Sequence, residues 1–348
     1  LLEKSKKALA VWARVWLDGT KKLASDPPTA ARQIAAAPGA MKGVVALLVA
    51  AAAVASVTAA PAPDAPPAQM QAIVQGDSGL SLQTVQVPKA GSGQVLVKVY
   101  AAGVNPVDWK RKAPIPGFDA AGIVEAMGPD VTDFKPGDAV VARVSGAYAQ
   151  YAVAQVDEVV LKPKGFTFEQ ASGMPVAGVA GYRAAMEAKV MPGQRVAVIG
   201  AAGGSGSVAV QVAKALGAKV IAIGHSSQKD YLAGLKADEF VAYDRDQVAA
   251  RVNGVDAVLN MVDGQAQAGL GYVKRGGYLV SIAGGTPGRE QCEAAGVTCI
   301  PIGGGSGAGY GSISNGQALA GLSALADKGQ YSVQVTQTEA AAAFGSDV

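Results

Sequence analysis

The sequence predicts an α/β protein in which a strand-rich, barrel-like domain is followed by a doubly wound parallel sheet. Short β-like runs separated by Gly or Pro occupy residues 69–175, a pattern typical of a barrel. Apolar strands alternate with helical segments over residues 176–302, which indicates a doubly wound sheet. A proline-rich spacer, "PAPDAPPA" at residues 61–68, separates both domains from a helical extension.

These patterns divide the chain into six segments. The segments are a helical extension (1–40), an apolar helix (41–60), a linker (61–68), the barrel domain (69–175), the parallel-sheet domain (176–302) and a C-terminal segment (303–348). The low-complexity sequence "PIGGGSGAGYGS", residues 301–312, spans the start of the last segment. We expect it to form a loop and an incomplete return to the barrel domain.

The composition permits an enzyme and argues against two other classes of protein. A chain of 348 residues is long enough for about two domains with a substantial core. Lys and Arg number 30 against 27 Asp and Glu, so we expect no nucleic acid among the partners. Cys292, Cys299 and His225 are too few to supply the four ligands of a structural zinc site. The cysteines would form a disulfide in an oxidising compartment, or remain buried thiols.

The first 40 residues predict an amphipathic helical extension. The apolar positions Leu2, Leu9, Trp12, Val15 and Trp16 fall near one helical face, with most of the basic residues elsewhere. Such a helix suits a membrane interface or a groove on a partner, or it packs on its own domain.

Residues 41–60 predict a single transmembrane helix in an organellar membrane, either the mitochondrial inner membrane or the thylakoid. About 18 residues from Gly43 to Ala60 carry no charge, which is near the lower limit for a span. The alternatives are a buried helix and an uncleaved targeting sequence. Lys and Arg precede the span and are absent from Pro61 to Pro88, so the N-terminus is expected on the cis side. We expect residues 1–60 to contact the lipid bilayer and other membrane-protein subunits.

The sequence "GAAGGSG" follows one predicted strand and opens a predicted helix. It contains the pattern A-x-G-x-x-G, formed by Ala201, Gly203 and Gly206, and the strand, helix and next strand have the spacing of a dinucleotide-binding unit. Gly203 allows the backbone to approach a pyrophosphate, and Gly206 allows the helix to pack on the strand. The helix N-terminus supplies N–H donors to the phosphates. We therefore expect a dinucleotide site here.

The end of the second predicted strand favours NADP over NAD. An NAD-specific fold usually places Asp or Glu there to bind the ribose 2′-hydroxyl, but "GHSSQK" contains no acid before Asp230. The donors at this position are His225, Ser226, Ser227 and Lys229, which suit a 2′-phosphate. His225 is alternatively an exposed loop residue. The expected cofactor is NADPH.

Further motifs accompany the glycine loop, namely "AAGVNPVDWK", "PGFDAAGIV", "FKPGDAVVA", "GAYAQYAV" and "LKADEFVAYD". With them the chain resembles the medium-chain dehydrogenase/reductase superfamily, specifically its zinc-free quinone oxidoreductase branch. The resemblance covers about residues 69–300 and implies a GroES-like β-barrel domain joined to a Rossmann domain. Asn105 and Phe118 stand where zinc-dependent relatives carry Cys and His ligands, so the resemblance implies that no zinc is bound.

The resemblance also implies hydride transfer from NADPH to a quinone or an activated alkene. It assigns Asn105, the one catalytic candidate, to the nicotinamide pocket and Tyr243 to the adenine. It assigns residues 203–206 to the pyrophosphate, and Ser226 and Lys229 to the 2′-phosphate. The candidate cofactor-binding residues are Ala201, Gly203, Gly204, Ser205, Gly206, His225, Ser226, Lys229, Tyr243 and Asn260.

Four departures from the family pattern predict weak activity. Only residues 113–115 remain of a longer segment that walls the substrate pocket in the family, and Ala180 replaces a common Thr. Asn260 and Asp263 stand where Asp and Gly are usual, and "AAAAFGSDV" ends before the terminal strand of the family. We therefore expect an accessory, weakly active or inactive subunit of a larger membrane complex. The alternative is an active NADPH-dependent quinone or enone reductase tethered to the membrane.

Overall fold

The computed structural model of the chain describes residues 66–77, 79–302 and 312–335. The predicted helical extension, residues 1–40, and the predicted span, residues 41–60, lie outside these ranges. None of the helices in the described ranges has the length and apolar character that a membrane crossing requires. This finding corrects the predicted location in a mitochondrial inner or thylakoid membrane.

Antiparallel strands build the domain that the sequence predicts as a barrel. The strands are β1 (Gln69–Gly76), β2 (Gly79–Gln86), β3 (Gln94–Gly103), β4 (Asp119–Met127), β5 (Ala139–Arg143), β6 (Tyr151–Gln155) and β7 (Val159–Leu161). β1 and β2 form a hairpin, and the others form a sheet in the order β6-β3-β4-β5-β7. Val95, Val97 and Val99 of β3 pack in one core cluster and Leu96 in another, because successive side chains face opposite sides of a strand.

Parallel strands build the second domain. They are β8 (Arg195–Ile199), β9 (Lys219–Gly224), β10 (Glu239–Ala242), β11 (Val255–Asn260), β12 (Val273–Ser281) and β13 (Thr298–Pro301). Their order is β10-β9-β8-β11-β12-β13, and every neighbouring pair is parallel. The direction of winding reverses between β8 and β11, which leaves a crevice at their carboxyl ends where ligands bind in such sheets. The predicted doubly wound Rossmann sheet is confirmed.

Helices cover the parallel sheet and connect the two domains. They are α1 (Pro106–Lys110), α2 (Phe168–Ser172), α3 (Val179–Glu187), α4 (Gly204–Ala215), α5 (Lys229–Gly234), α6 (Val248–Arg251), α7 (Ala266–Leu270), α8 (Arg289–Ala295) and α9 (Asn315–Asp327). A π-helical turn, Met174–Gly178, precedes α3. α9 lies in the segment expected to be a loop and barrel return, and it packs against α3 and β7. It therefore contacts both domains.

A disulfide joins Cys292 of α8 to Cys299 of β13. Of the two states that the sequence left open, the structure has the bonded one. The bond connects a surface helix to the edge strand of the parallel sheet.

Replacing both cysteines with alanine is expected to lower the free energy of unfolding by about 2 kcal/mol, because the bond restricts the unfolded chain. The loop that it closes is short, with a sequence separation of 7. Urea denaturation of the native protein and the double variant measures the difference. A reductant should destabilise the native protein by a similar amount and leave the variant unchanged. If reduction of the disulfide leaves the urea midpoint of the native protein unchanged, the prediction is contradicted.

Candidate functional site

Residues of both domains line one large cleft. Its volume is about 2310 Å³, and its lining includes Asn105 of the antiparallel domain and Tyr243 at the end of β10. Gly200 and Gly224, at the carboxyl ends of β8 and β9, also line it. The cleft therefore lies at the crevice where parallel sheets of this topology bind their ligands.

The turn between β8 and α4 forms the glycine-lined part of the cleft. The backbone N–H groups of Gly200 and Ala201 both donate to the Ile223 carbonyl oxygen at 3.1 Å, which anchors the turn to β9. A Cβ added to Gly206 would overlap the Gly200 carbonyl oxygen, whereas one added to Gly203 would lie 3.4 Å from the same atom. Gly206 thus brings the helix against the strand, and Gly203 leaves open space at the helix N-terminus.

The structure brings six of the predicted site residues together in the cleft lining. They are Asn105, Gly203, Gly204, Ser205, Gly206 and Tyr243. Two others are buried beneath it: Ala201 lies inside the turn, and the Asn260 amide donates to Ser281 Oγ at 2.9 Å. These two support the backbone of the cleft and do not face it.

The remaining predicted residues, His225, Ser226 and Lys229, do not line the cleft. Ser226 donates from its backbone N–H and from its hydroxyl to the Asp244 carboxylate, both at 2.7 Å. The His225 ring lies edge-on to Tyr243, with centroids 5.9 Å apart. Among the described residues, the Lys229 side chain makes no hydrogen bond or ion pair. The donors predicted for a 2′-phosphate are thus beside the cleft, and one of them already binds a carboxylate.

A buried polar network holds Asn105 at the other end of the cleft. The Asn105 amide donates to Asp119 at 2.8 Å, and its backbone N–H donates to Asp108 at 2.7 Å. Tyr148 donates its hydroxyl to the same Asp108 oxygen at 2.8 Å, and the Val176 N–H donates to Asp119 at 2.9 Å. Asn105 is therefore fixed by both its backbone and its side chain.

Burial raises the pKa of both carboxyl groups in this network. Burial raises the pKa of Asp119 to about 8, and the nearby Asp108 adds to the rise, while the hydrogen bond from Asn105 opposes it. Burial also raises the pKa of Asp108. Asp119 is 1% exposed and lines the cleft directly behind Asn105, and its raised pKa favours the protonated carboxylic acid at neutral pH.

Tyr331, just beyond α9, packs in the wall of the cleft. The residue is 2% exposed and is part of the cleft lining and of the core cluster beneath it. Its hydroxyl is buried beside Gly178 and has no hydrogen-bond partner within the described part of the chain. Burial raises the pKa of this phenol above its ordinary value, so it remains neutral.

Four polar residues of the cleft wall and of the network behind Asn105 are absent from the site predicted from sequence, namely Asp108, Asp119, Tyr148 and Tyr331. The first three lie inside the family motifs "NPVDWK", "PGFDAAG" and "GAYAQ". The available signal was a polar residue in an otherwise apolar strand or turn. Tyr331 carries no such signal, because its place in the cleft depends on α9.

Comparison with known proteins identifies the fold. A family model described as "Alcohol dehydrogenase GroES-like domain" matches residues 91–164, and one described as "Zinc-binding dehydrogenase" matches residues 204–303. The Arabidopsis thaliana chloroplastic NADPH-dependent alkenal/one oxidoreductase is 33% identical over 246 residues, covering 63% of this chain and 64% of that protein. The Mus musculus quinone oxidoreductase is 32% identical over 231 residues, covering 60% of this chain and 70% of that protein.

A solved structure agrees with these relatives. An alcohol dehydrogenase superfamily protein from Novosphingobium aromaticivorans superposes with a TM-score of 0.69 at 30% identity, covering 76% of this chain and 88% of that one. The chain belongs to the medium-chain dehydrogenase/reductase superfamily, in its quinone oxidoreductase branch. It spans less than two thirds of the length of the first curated relatives, for example 64% of the Arabidopsis protein.

The described residues do not fit the zinc that the second family model names. Asn105 has its amide engaged by Asp119, and Phe118 carries no donor atom. Cys292 and Cys299 are joined to each other. Across the described ranges, no three His, Cys, Asp or Glu side chains are grouped so that they could hold a metal ion. We therefore derive no step through a metal.

Proposed function

We propose that this chain is a nicotinamide-dependent reductase of quinones or of alkenes conjugated to a carbonyl group. The observation that carries the proposal is that the glycine-lined N-terminus of α4 and the fixed Asn105 line one cleft. The substrate class is supported by the names of the Arabidopsis and Mus musculus relatives. A bound nicotinamide supplies the hydride.

The N-terminus of α4 is the part of the cleft that suits the dinucleotide phosphates. The first N–H groups of a helix have no acceptor within the helix, and its dipole favours negative charge at this end. Gly203 and Gly204 carry no side chain that would obstruct a phosphate, and Gly203 has open space beside it. The residues present therefore fit a pyrophosphate.

NADPH is the form that two observations support. Lys229 is exposed at the start of α5 and, in the described structure, without a partner, so it is free to bind a phosphate. The Arabidopsis relative is named as NADPH-dependent. Tyr243 lies on the lining near this end, where its ring offers a surface for the adenine.

Asn105 is the fixed polar side chain at the reacting end of the cleft. It is held through both its backbone and its side chain, so it forms a rigid wall that orients a ligand lying against it. The cleft lining also includes the apolar side chains of Val104, Val107, Met261, Val262 and Ile282, which suit a planar quinone or enone.

A second candidate function is a dinucleotide-binding subunit with little turnover. The observation that favours it is that none of residues 113–115 lines the cleft, so this segment does not wall the acceptor. Pro114 instead accepts a hydrogen bond from the Gln75 N–H at 2.8 Å. Residues 1–60 lie outside the described residues, so the partners predicted for them stay predictions.

Steady-state assays with NADPH and a small soluble quinone distinguish the two candidates. We expect NADPH oxidation that depends on the quinone. Binding of NADPH without turnover of quinones or enones supports the second candidate.

A further inference from the structure

A carboxylate lies at the carboxyl end of β9, although β9 and the residues directly after it contain no acid. The Asp244 carboxylate accepts hydrogen bonds from the Ser226 N–H and from the Ser226 hydroxyl, each at 2.7 Å. His225 Nε2 lies 3.5 Å from one of its oxygens. The Asp244 side chain is 24% exposed and the His225 side chain 47% exposed. This group is therefore anchored by Ser226 and accessible to a ligand.

Asp244 reaches this position from the neighbouring strand. β10 and β9 are parallel, with Ala242 paired to Gly224, and the Tyr243 N–H continues the ladder by donating to the Gly224 carbonyl at 3.1 Å. The next residue, Asp244, consequently lies opposite the residues that follow Gly224. Gly224 and Tyr243 both line the cleft, so the carboxylate is adjacent to the cleft at the end where the adenosine is expected.

The surroundings of Asp244 keep it ionised. Desolvation opposes ionisation, but the hydrogen bonds from Ser226 outweigh it and, with His225, lower the pKa of the Asp244 carboxyl. Arg245 Nε lies 3.7 Å from the carboxylate, but its side chain is 75% exposed, so its contribution is screened by solvent. A negative charge therefore persists beside Ser226 at physiological pH.

We propose that Asp244 determines how far this chain prefers NADPH over NADH, by holding the Ser226 donors and presenting a carboxylate to the ribose. A dinucleotide without a 2′-phosphate donates its ribose 2′-hydroxyl to an acid at this end of the sheet. A 2′-phosphate has no proton to share and repels the carboxylate. The proposal rests on the proposed function, since it assigns a role at the same cofactor site.

Lys229 acts in the opposite direction to Asp244. It is the unpartnered cation described above, at the start of α5 three residues after Ser226, and it attracts a phosphate. With one group favouring each cofactor, we expect the native protein to bind NADPH and NADH with affinities within about tenfold of each other. Replacing Asp244 with asparagine removes the charge and one of the two acceptor oxygens, which leaves Lys229 and one Ser226 donor to favour the phosphate.

Isothermal titration of NADPH and NADH into native protein and Asp244→Asn tests the proposal. We expect the variant to shift the ratio of the two dissociation constants by at least about tenfold towards NADPH. NADH loses a hydrogen bond from its ribose 2′-hydroxyl to a charged group, and NADPH is relieved of the repulsion between its 2′-phosphate and the carboxylate. The matched control is Asp246→Asn. Asp246 lies two residues away and binds Arg251 and the Ala242 N–H, so this variant has the same charge change without contact to Ser226.

The outcomes separate this proposal from the proposed function. A shift in Asp244→Asn with a ratio near the native one in Asp246→Asn supports the role of Asp244. Native protein that binds both dinucleotides but keeps its ratio in Asp244→Asn overturns that role alone, as does an equal shift in both variants. Native protein that binds neither dinucleotide overturns the proposed function and the role of Asp244 together.

Discussion

Replacing Gly206 with alanine is expected to weaken dinucleotide binding by at least about 100-fold and to destabilise the fold. The new Cβ would overlap the Gly200 carbonyl oxygen and lie 2.9 Å from the Ala201 Cα. Both contacts are with backbone, so α4 must move away from β8. Such overpacking costs roughly 1–3 kcal/mol, and losing two charge-assisted hydrogen bonds at the helix N-terminus gives the fall in affinity.

Gly203→Ala is the matched control for that prediction. Its Cβ would lie 3.4 Å from the nearest protein atom, the Gly200 carbonyl oxygen, and its φ of −73° is accessible to alanine. We expect an unchanged or slightly higher free energy of unfolding, but weaker binding, because the methyl group occupies space that the phosphate needs. Urea denaturation and calorimetric titration of both variants separate the two effects. Normal binding by Gly206→Ala contradicts the proposed packing of α4.

Raising the pH from 5 to 9 is expected to destabilise the native protein through Asp119. Its pKa is about 8 in the folded chain and 3.8 as the ordinary value, so between these limits the folded state holds a proton that the unfolded state releases. The contribution of this proton to the free energy of unfolding is complete below about pH 4 and is lost as the pH rises through about 8. Its full size is on the order of several kcal/mol.

Asp119→Asn tests this pH dependence. Asparagine keeps an acceptor for the Val176 N–H, and the Asn105 amide can turn to accept from the new amide group. We expect the variant to lose less stability than the native protein between pH 5 and pH 9, as measured by urea denaturation. Asp119→Leu should be less stable at every pH, because two buried donors lose their acceptor. Identical pH profiles for native protein and Asp119→Asn rule out this role for the carboxyl.

Local pattern was sufficient to predict the parallel-sheet domain and the glycine turn. The dinucleotide-binding unit consists of the strand ending at Ile199, the glycines 203 and 206 and the helix after them. These parts are close together in the sequence, so apolar periodicity and glycine spacing are enough to predict them. The antiparallel strands were equally clear, because Val95, Val97 and Val99 alternate with residues of another cluster. These are the parts in which local preference and tertiary packing agree.

The elements after residue 297 were not predicted. β13 is only four residues long, and its sequence "TCIP" does not alternate in a way that marks a strand. α9 follows a glycine-rich stretch, although Ser314 and Gln317 form a capping box that signals a helix start. Without α9, nothing in the sequence indicates that Tyr331 reaches the cleft.

The contacts that define the site are mostly between residues far apart in the chain. Asn105 and Asp119 are 14 residues apart, Asp119 and Val176 are 57 apart, and both pairs meet only through tertiary packing. Asp244 is the clearest case. The rule for cofactor preference looks for an acid at the end of β9, whereas Asp244 follows the neighbouring strand, β10. The absence of an acid after β9 predicted free donors for a phosphate, whereas a carboxylate from the adjacent strand binds one of them.

Calorimetric titration of the native protein with NADPH, beside Gly203→Ala, tests the central claim most directly. The claim is that the cleft at the N-terminus of α4 binds a nicotinamide dinucleotide. It predicts one saturable site in the native protein and binding at least about tenfold weaker in Gly203→Ala, with both proteins equally stable in urea. Absence of binding by the native protein, or equal binding by both, would contradict the claim.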